Sequence, residues 1–376
     1  MKPSIHAHVF TDISKEHFLK QAPGNADSIG NVNFTFGVEI DDTCDVLIVF
    51  NRSSFTLKTS LPKARTVFLA AEPDVIHPYS ARFLNQFGLV LTTSDKPLQT
   101  QKWKRATCWY WFAGMDFSHK RETRGYDWFS NLEMPAKSDK ISIVTSTKVY
   151  TEYHRKRLTF IETLADTIPE HLALFGRGFK SVDDKADAIL PYKYHLAIEN
   201  GFGPDLWTEK LADPYLCGAF PFYAGCTNTA SYFPDESFNI IDLDHPKDEA
   251  RRMVEEIANG RWAAAQDALN EARRRVLEQH NLMQLLYELA ISAGASELPR
   301  TRSTTRYIWS EKSLLPESGS RGTLPDWFFR NLLLKIDPQL ELKTVRLRHW
   351  LDSRRSAKRS KKAKIAEAQM RAGTEE

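Results

Sequence analysis

Two pairs of polar residues with the chemistry of a binding site lie within the segment ENGFGPDLWTEKL, residues 199–211. Glu199 and Asn200 follow an apolar run, whereas Glu209 and Lys210 begin a stretch with helical character. The glycines and the proline between the two pairs prevent a continuous helix and permit tight turns. The segment therefore joins the end of a strand to the start of a helix through a short connection that carries both pairs.

The start of the predicted helix is suited to an anion. Thr208 is placed to cap the helix, and the free N–H groups of a helix start favour negative charge. Lys210 adds a full positive charge, and the two oxygens of Glu209 can accept hydrogen bonds from a sugar diol. This combination predicts a site for a nucleoside diphosphate, with the carboxylate for the ribose and the lysine for phosphate. A simple helix cap is the structural alternative for a Thr-Glu-Lys sequence.

Strands rich in Val, Leu, Ile and Phe are expected to position this segment. In the first half of the chain these runs are nearly unbroken rather than alternating, which is typical of strands buried on both faces of a parallel sheet. A short helix is predicted over 80–88, between two of them, and gives the strand–helix–strand rhythm of an α/β fold. The predicted strands are DVLIVF (45–50), RTVFLAAE (65–72) and LVLTTS (89–94).

Residues 118–140 show no regular spacing of apolar residues and are interpreted as a linker between domains. A second series of alternating strands and helices begins after them. The apolar spacing over 153–168 predicts a helix. Open parallel sheets bind ligands at the carboxyl ends of their strands, where Glu199 and Asn200 are expected. The predicted strands are ISIVTS (141–146), LALFG (172–176), YHLAIEN (194–200), AFPFYAG (219–225) and FNIIDLD (238–244).

The segment YHLAIENGFGPDLWTEKLADPYLCGAFPFYAGCTNTASYFP, residues 194–234, resembles the donor-binding signature of the family 10 glycosyltransferases, the α-1,3/1,4-fucosyltransferases. The shared pattern is Glu-Asn, then Thr-Glu-Lys, a helix of small residues, Gly-x-x-Pro and Asn-x-x-x-Tyr-Phe. Weaker similarity extends from about residue 66 to residue 260. The resemblance implies a GT-B fold, in which two Rossmann-like domains face a central cleft. It also implies GDP-fucose as donor and inverting transfer that requires no bound metal.

Within that fold we assign residues 1–135 to an N-terminal acceptor-side domain and residues 136–315 to a C-terminal donor-binding domain. Residues 316–376 are assigned to a C-terminal extension with a basic tail.

The resemblance also implies roles for single residues of the donor domain. Glu209 would hold the ribose hydroxyls, and Lys210 would hold a phosphate. Asn200 would contact the donor, with Glu199 supporting the site. The run HRKRLTFIETL resembles the family helix whose arginine binds the pyrophosphate, and the best register gives that role to Arg157. The arginine two positions earlier is the alternative.

The catalytic base is expected from the other domain. FLAAEP resembles the strand-end glutamate proposed as the base in this family, which would be Glu72. Inverting transfer is one in-line displacement, so the base takes the proton of the acceptor hydroxyl on the face opposite the leaving group. Cations such as Arg157 and Lys210 offset the charge that grows on the departing diphosphate. Asp74 and Asp95 are the alternatives for the base.

The sequence departs from the family pattern at positions around the expected base and sugar pocket. Another nucleotide sugar is therefore the alternative donor. The departures are Ile198 before Glu-Asn, Leu206 and Trp207 before Thr-Glu-Lys, and Phe222 and Ala224 just after the proline of Gly-x-x-Pro.

A net charge of +3 conceals a basic segment near the C terminus. Residues 343–364 carry ten Lys and Arg residues and one acid, Asp352, so their charge of +9 leaves −6 for the remainder of the chain. We predict that this tail makes peripheral contact with an anionic membrane, which suits a lipid-linked acceptor. A non-enzymatic module that binds nucleic acid is the alternative. It is disfavoured because Trp350 is the tail's single aromatic residue and offers no stacking platform.

The cysteines and the N-terminal sequence bear on the compartment. Cys44, Cys108, Cys217 and Cys226 show no metal-ligand spacing and are interpreted as buried thiols in a reducing compartment. The first twenty residues contain no long apolar run, which argues against a secretory signal. We therefore predict a cytoplasmic enzyme of bacterial type, located in part at the inner face of the membrane.

Overall fold

The computed structural model describes residues 4–51, 54–74, 76–116, 123–146, 152–294, 305–317 and 323–344. The strands are β1 Ile5–Phe10, β2 Ser28–Ile29, β3 Val32–Gly37, β4 Val46–Phe50, β5 Leu57–Thr59, β6 Thr66–Leu69, β7 Leu89–Thr92, β8 Gln101–Lys104, β9 Ser138–Ser146, β10 Leu172–Arg177, β11 Tyr192–Gly203, β12 Phe220–Cys226, β13 Asn239–Ile240 and β14 Arg306–Ile308. The helices are α1 Glu16–Leu19, α2 Ala81–Leu84, α3 Tyr126–Ser130, α4 Glu152–Thr167, α5 Lys185–Ile189, α6 Glu209–Leu216, α7 Pro246–Ala258, α8 Arg261–Ala264, α9 Gln266–Glu278, α10 Leu282–Gly294 and α11 Leu324–Ile336.

The first domain is built on a sheet with the strand order β2-β3-β1-β4-β6-β7-β8. Every pairing in it is parallel except that of β2 with β3. The central strand β4 reads VLIVF, and all five residues are buried. Ile48 packs into one hydrophobic cluster, whereas Leu47 and Val49 pack into a second cluster. The unbroken apolar run is therefore explained by packing on both faces.

The second domain has a parallel sheet with the order β10-β9-β11-β12-β13. From β9 the chain continues to β10 on one side, whereas β11 is followed by β12 and β13 on the other side. Such a switch point, here between β9 and β11, opens a crevice for ligands at the carboxyl ends of the strands. Helix α4 connects β9 with β10, and α6 connects β11 with β12. The structure thus has the two Rossmann-like α/β domains of the predicted GT-B fold.

The packing after residue 281 differs from the predicted domain assignment of 136–315. Helix α10 packs on β1, β2, β3, β4 and β6 of the first sheet, and β14 pairs with β5. The physical reason is that α10 is apolar on most of its surface, and the first sheet supplies the face that covers it. The chain therefore returns to the N-terminal domain before the extension begins.

The predicted linker is also more structured than its sequence suggests. It contains α3, whose Phe129 packs edge-on against Trp111, and the start of β9 at Ser138. Residues 117–122 lie outside the described residues, as does the basic tail beyond Thr344. Across the described ranges, no helix has both the length and the apolarity needed to cross a bilayer.

Candidate active site

The end of β11 is shaped by a break in its pairing with β12. The register shifts between Ile198 and Gly203, so the residues between them leave the regular ladder. On the neighbouring strand Gly225 has φ +158°, and a Cβ there would lie 2.4 Å from Cγ of Glu199. A glycine is therefore required opposite Glu199, both for its backbone conformation and for the space that the glutamate occupies.

Glu199 connects the strand end to the start of α6. Its side chain is 2% exposed, and its carboxylate accepts hydrogen bonds of 2.7 Å from both the backbone N–H and the hydroxyl of Thr208. Thr208 is the N-cap of α6, with its oxygen accepting from the N–H of Lys210 at 3.4 Å. Burial raises the pKa of Glu199. Glu199 is thus placed to hold the helix start rather than to reach a ligand.

Glu209 and Lys210 form an ion pair at the start of α6. Nζ of Lys210 lies 2.9 Å from Oε1 of Glu209 and 3.8 Å from Oε2 of Glu199. Burial alone would lower the pKa of Lys210, but the two carboxylates outweigh it and raise the pKa to about 12. Burial alone would raise the pKa of Glu209, but Lys210 and Lys185 outweigh it and lower the pKa. Both groups are therefore charged near neutral pH.

Arg157 of α4 is directed at the same region. Its guanidinium donates a 3.0 Å hydrogen bond to Oδ1 of Asn200, and Nε2 of His154 lies 3.2 Å from that same oxygen. Arg157 is 8% exposed, and its buried Nε has no hydrogen-bond partner among the described residues. Among the described residues, no carboxylate lies within ion-pair distance of Arg157, and burial lowers its pKa. The alternative, Arg155, is exposed.

Arg157 and Lys210 share a small cavity of about 30 Å³ at the switch point between β9 and β11. Lys185, which forms a buried 2.8 Å ion pair with Asp213, also lines it. Three positive side chains thus line the cavity beside the start of α6, and one of them, Arg157, lacks an acidic partner in the described part of the chain. Such an arrangement can hold an anion with more than one negative charge.

Glu72 lies across a cleft from these residues. It follows β6 at its carboxyl end and is half-buried. The cleft has a volume of about 200 Å³. From the first domain it is lined by Ala71, Glu72, Pro73, Ile76, Thr93, Thr107, Trp109 and Phe112, and from the second by Glu199, Asn200, Gly201, Asp205, Leu206, Trp207, Thr208, Glu209 and Lys210. Five of the six predicted site residues line this one cleft, and the sixth, Arg157, contacts Asn200.

The two alternatives for the base do not line the cleft. Asp74 accepts a hydrogen bond from the hydroxyl of Ser94. Asp95 is exposed and pairs with Lys104, whose hydrogen bond lowers the pKa of Asp95. Of the three acids considered at these strand ends, the geometry favours Glu72.

Sequence reasoning did not select Asp205, a buried carboxylate in the cleft. Its backbone has φ +63°, and its Oδ1 accepts hydrogen bonds from Asn228 at 2.9 Å and from Tyr232 at 2.7 Å. The Asn and the Tyr of the Asn-x-x-x-Tyr-Phe pattern thus hold this acid. Both residues belong to one motif, which was the signal available in the sequence. Spacing alone could not identify Asp205, twenty-three residues before Asn228, as their shared partner.

The residues that depart from the family pattern do not all lie in the same part of the structure. Trp207 and Leu206 line the cleft, and Ile198 lines the small cavity. Phe222 does not, because its ring is buried and stacks on Tyr194 in the core of the second domain. The expectation that all departures surround the sugar pocket is therefore wrong for Phe222, and Ala224 lines neither of the two cavities.

No three His, Cys, Asp or Glu side chains in the described part of the chain are grouped so that they could hold a metal ion. The four cysteines are buried, as predicted. Metal independence and the cytoplasmic location stay predictions.

Two Rossmann-like domains that face a cleft are the arrangement of the GT-B fold, and the second of them carries a cationic site at its switch point. Residues 134–258 match the family model described as glycosyltransferase family 10 (fucosyltransferase), C-terminal part. The second domain is therefore similar to the C-terminal part of that family, as the resemblance implied.

Among its relatives is mouse 4-galactosyl-N-acetylglucosaminide 3-alpha-L-fucosyltransferase 9, which is 29% identical over 130 residues, 33% of this chain and 35% of that protein. Xenopus laevis GDP-fucose protein O-fucosyltransferase 3 is 43% identical over 61 residues, 16% of this chain and 13% of that protein. The chain thus spans about a third or less of the length of these relatives. A crystal structure of an alpha1,3-fucosyltransferase with GDP-fucose aligns with a TM-score of 0.47 at 15% identity, covering 79% of this chain and 92% of that one.

Proposed function

We propose that the protein is an inverting glycosyltransferase that transfers L-fucose from GDP-fucose to a hydroxyl of galactose or N-acetylglucosamine in a surface glycan, with α-1,3 or α-1,4 linkage. The sequence match of the second domain to fucosyltransferases supports the donor. One structural observation carries the proposal. Arg157 is a buried guanidinium whose Nε has no partner in the described part of the chain, and it shares a cavity with Lys210 beside the start of α6.

A buried cation without an acidic partner is costly, because its desolvation is not offset by an ion pair. A bound diphosphate would offset that cost. Arg157 and Lys210 would each place positive charge on it, and the N–H groups at the start of α6 would add to their field. Next to them, the two carboxylate oxygens of Glu209 would accept hydrogen bonds from the ribose hydroxyls. Nζ of Lys210 lies 2.9 Å from Oε1 of Glu209, so the ribose site would adjoin the phosphate site.

The reaction then needs a base on the opposite wall of the cleft. Glu72 takes the proton of the acceptor hydroxyl while the acceptor oxygen forms a bond to the anomeric carbon. On the other face the bond between that carbon and the phosphate oxygen breaks. The electron pair leaves with the diphosphate, whose growing charge Arg157 and Lys210 offset. A single displacement of this kind inverts the anomeric centre, and none of these steps assigns a role to a metal.

The acceptor is expected on the first domain, beside Glu72. Trp109 and Phe112 line that wall of the cleft, and Thr93 and Thr107 contribute hydroxyls. Aromatic faces and hydroxyl groups are suited to the apolar face and the edge of a sugar ring. These residues thus offer the recognition surface that a galactose or N-acetylglucosamine acceptor requires.

The test measures transfer from GDP-fucose to N-acetyllactosamine by the full chain, together with thermal shifts in GDP, UDP, CDP and dTDP. A ligand that binds only the native state raises the melting temperature by mass action. We expect a shift with GDP and none with UDP, and product formed with and without a chelator. Equal shifts with GDP and UDP would reject the fucosyl donor and favour another nucleotide sugar. The absence of transfer and of any nucleotide shift would favour a non-enzymatic module.

We further propose a cytoplasmic location with peripheral contact between the basic tail and anionic lipid. The support is the charge of +9 over residues 343–364. Truncation after residue 342 should leave turnover of a soluble acceptor unchanged and weaken binding to anionic vesicles. Vesicle binding that is insensitive to both truncation and salt would contradict this proposal.

A further inference from the structure

Exposed apolar side chains are concentrated on one helix of the first domain. Seven of the twelve exposed large hydrophobic residues in the described part of the chain lie in α11 or the turn that follows it. Phe329 is 68% exposed and Ile336 is 81% exposed. Soluble proteins rarely leave a contiguous patch of this kind uncovered. The apolar face of α11 consists of Leu324, Phe328, Phe329, Leu332, Leu333 and Ile336.

The opposite side of α11 is attached to the protein. Leu334 is buried, and Asn331 donates a 2.8 Å hydrogen bond to the carbonyl of Ser313. Arg330 forms an ion pair with Glu341, and Leu342 is buried in the second hydrophobic cluster. At 3.6 residues per turn, the six apolar residues occupy about half of the helix circumference and the attached residues occupy the rest. The apolar face is therefore held outward by the packing of the inner face.

We propose that the apolar face of α11 inserts into the interface of a lipid bilayer that carries anionic headgroups. Helices that lie in this interface combine an apolar face with nearby basic charge, and both contribute to binding. Lys335 lies on α11, and the chain continues seven residues later into the segment 343–364 with its charge of +9. Apolar insertion and attraction to anionic lipid therefore act on adjoining parts of the chain.

The same charge disfavours a second copy of the chain as the occupant. A symmetric contact through α11 would join two chains that each carry +9 over residues 343–364, and like charges oppose association. An anionic bilayer is attracted by that charge instead. The helix belongs to the domain that carries Glu72, so membrane contact would hold the acceptor-binding domain near lipid-linked glycans.

The first experiment compares flotation of the full chain with vesicles of phosphatidylcholine alone and with added phosphatidylglycerol. We expect binding to the anionic vesicles. The double variant Phe328→Ser/Phe329→Ser should weaken it by about tenfold or more, because two aromatic side chains no longer leave water. The matched control is Phe179→Ser/Ile240→Ser, which removes two exposed apolar residues of the other domain. Equal binding by both double variants would overturn the proposal.

A second measurement places a fluorescent label on the face. The four native cysteines are buried, so a label on Leu332→Cys is selective. We expect a blue shift with anionic vesicles and none for Ile240→Cys. A blue shift without vesicles that grows with protein concentration would identify a second copy as the occupant. A concentration-independent blue shift that is lost on truncation after Thr344 would identify the chain's own tail. Either result would overturn insertion into lipid.

Discussion

Replacement of Arg157 by methionine should separate a binding role from a structural one, because the two roles predict opposite effects on stability. Methionine has similar reach, carries no charge and fills the apolar part of the site. The substitution removes a buried cation whose Nε has no partner within the ranges that the structure describes. It also removes a 3.0 Å hydrogen bond to Asn200, but Oδ1 of Asn200 keeps His154 at 3.2 Å. No acceptor is therefore left unpaired by the change.

The magnitude follows from these contacts. The lost hydrogen bond costs about 1 kcal/mol, whereas relief of the desolvation penalty of a buried ion is worth several kcal/mol. The free energy of unfolding of the unliganded protein should therefore stay the same or rise by about 1–2 kcal/mol. GDP binding should lose about 1.5–3 kcal/mol, the range for hydrogen bonds to charged groups, which is a rise of about 10- to 150-fold in Kd.

Urea unfolding without ligand and calorimetric titration with GDP measure the two quantities. Arg155→Met is the matched control, since that arginine lies on the same helix and is exposed. It should change neither quantity by more than about 0.5 kcal/mol. A variant Arg157→Met that is less stable than the parent by 2 kcal/mol or so, yet binds GDP with the parental Kd, would refute the reasoning. In that case Arg157 would have a structural role.

Three further predictions concern the rest of the site. Glu72→Gln should lower kcat by about a hundredfold or more with GDP affinity unchanged, as for loss of a general base, whereas Asp74→Asn should keep the parental kcat; steady-state kinetics would contradict this assignment if the effects were reversed. Glu209→Ala and Lys210→Ala should each weaken GDP binding by about 1.5–3 kcal/mol, and calorimetric Kd values that match the parent for both would reject this site. Gly225→Ala should destabilise the protein by about 1–3 kcal/mol and weaken GDP binding, because a Cβ there collides with Glu199; a parental melting temperature and Kd would show that the strand end adapts.

The segment around Thr-Glu-Lys was predictable because its signals are local. A strand end, turn residues, a capping threonine and a helix start follow one another in sequence, and the structure contains each of them in order. The parallel strands were also predictable where burial on both faces gave unbroken apolar runs, as in β4. β1 and β3 were not identified, since their apolar residues are interrupted by His and Asn side chains.

Other features depend on contacts between distant residues. Helix α10 looks like part of the second domain in sequence, but its apolar surface is covered by the first sheet. Arg157 is buried and Arg155 is exposed, a difference that a cluster of cations in sequence does not reveal. The supporting role of Glu199 depends on Gly225 lying opposite on the next strand and on the contact with Thr208.

Lys210 has an acidic partner, whereas Arg157 has none among the described residues, and the proposed binding of a diphosphate gives a reason for the difference. Lys210 can remain bonded to Glu209 while it contacts a phosphate, because an ammonium group has three donors. Glu209 has oxygens to spare for a ribose in the same geometry, so the pair need not separate when a nucleotide binds. A carboxylate on Arg157 would instead occupy the donors that a diphosphate needs, and would have to be displaced first. If Arg157 binds the diphosphate as proposed, its lack of an acidic partner among the described residues would cost stability without ligand and lower the reorganisation required for binding.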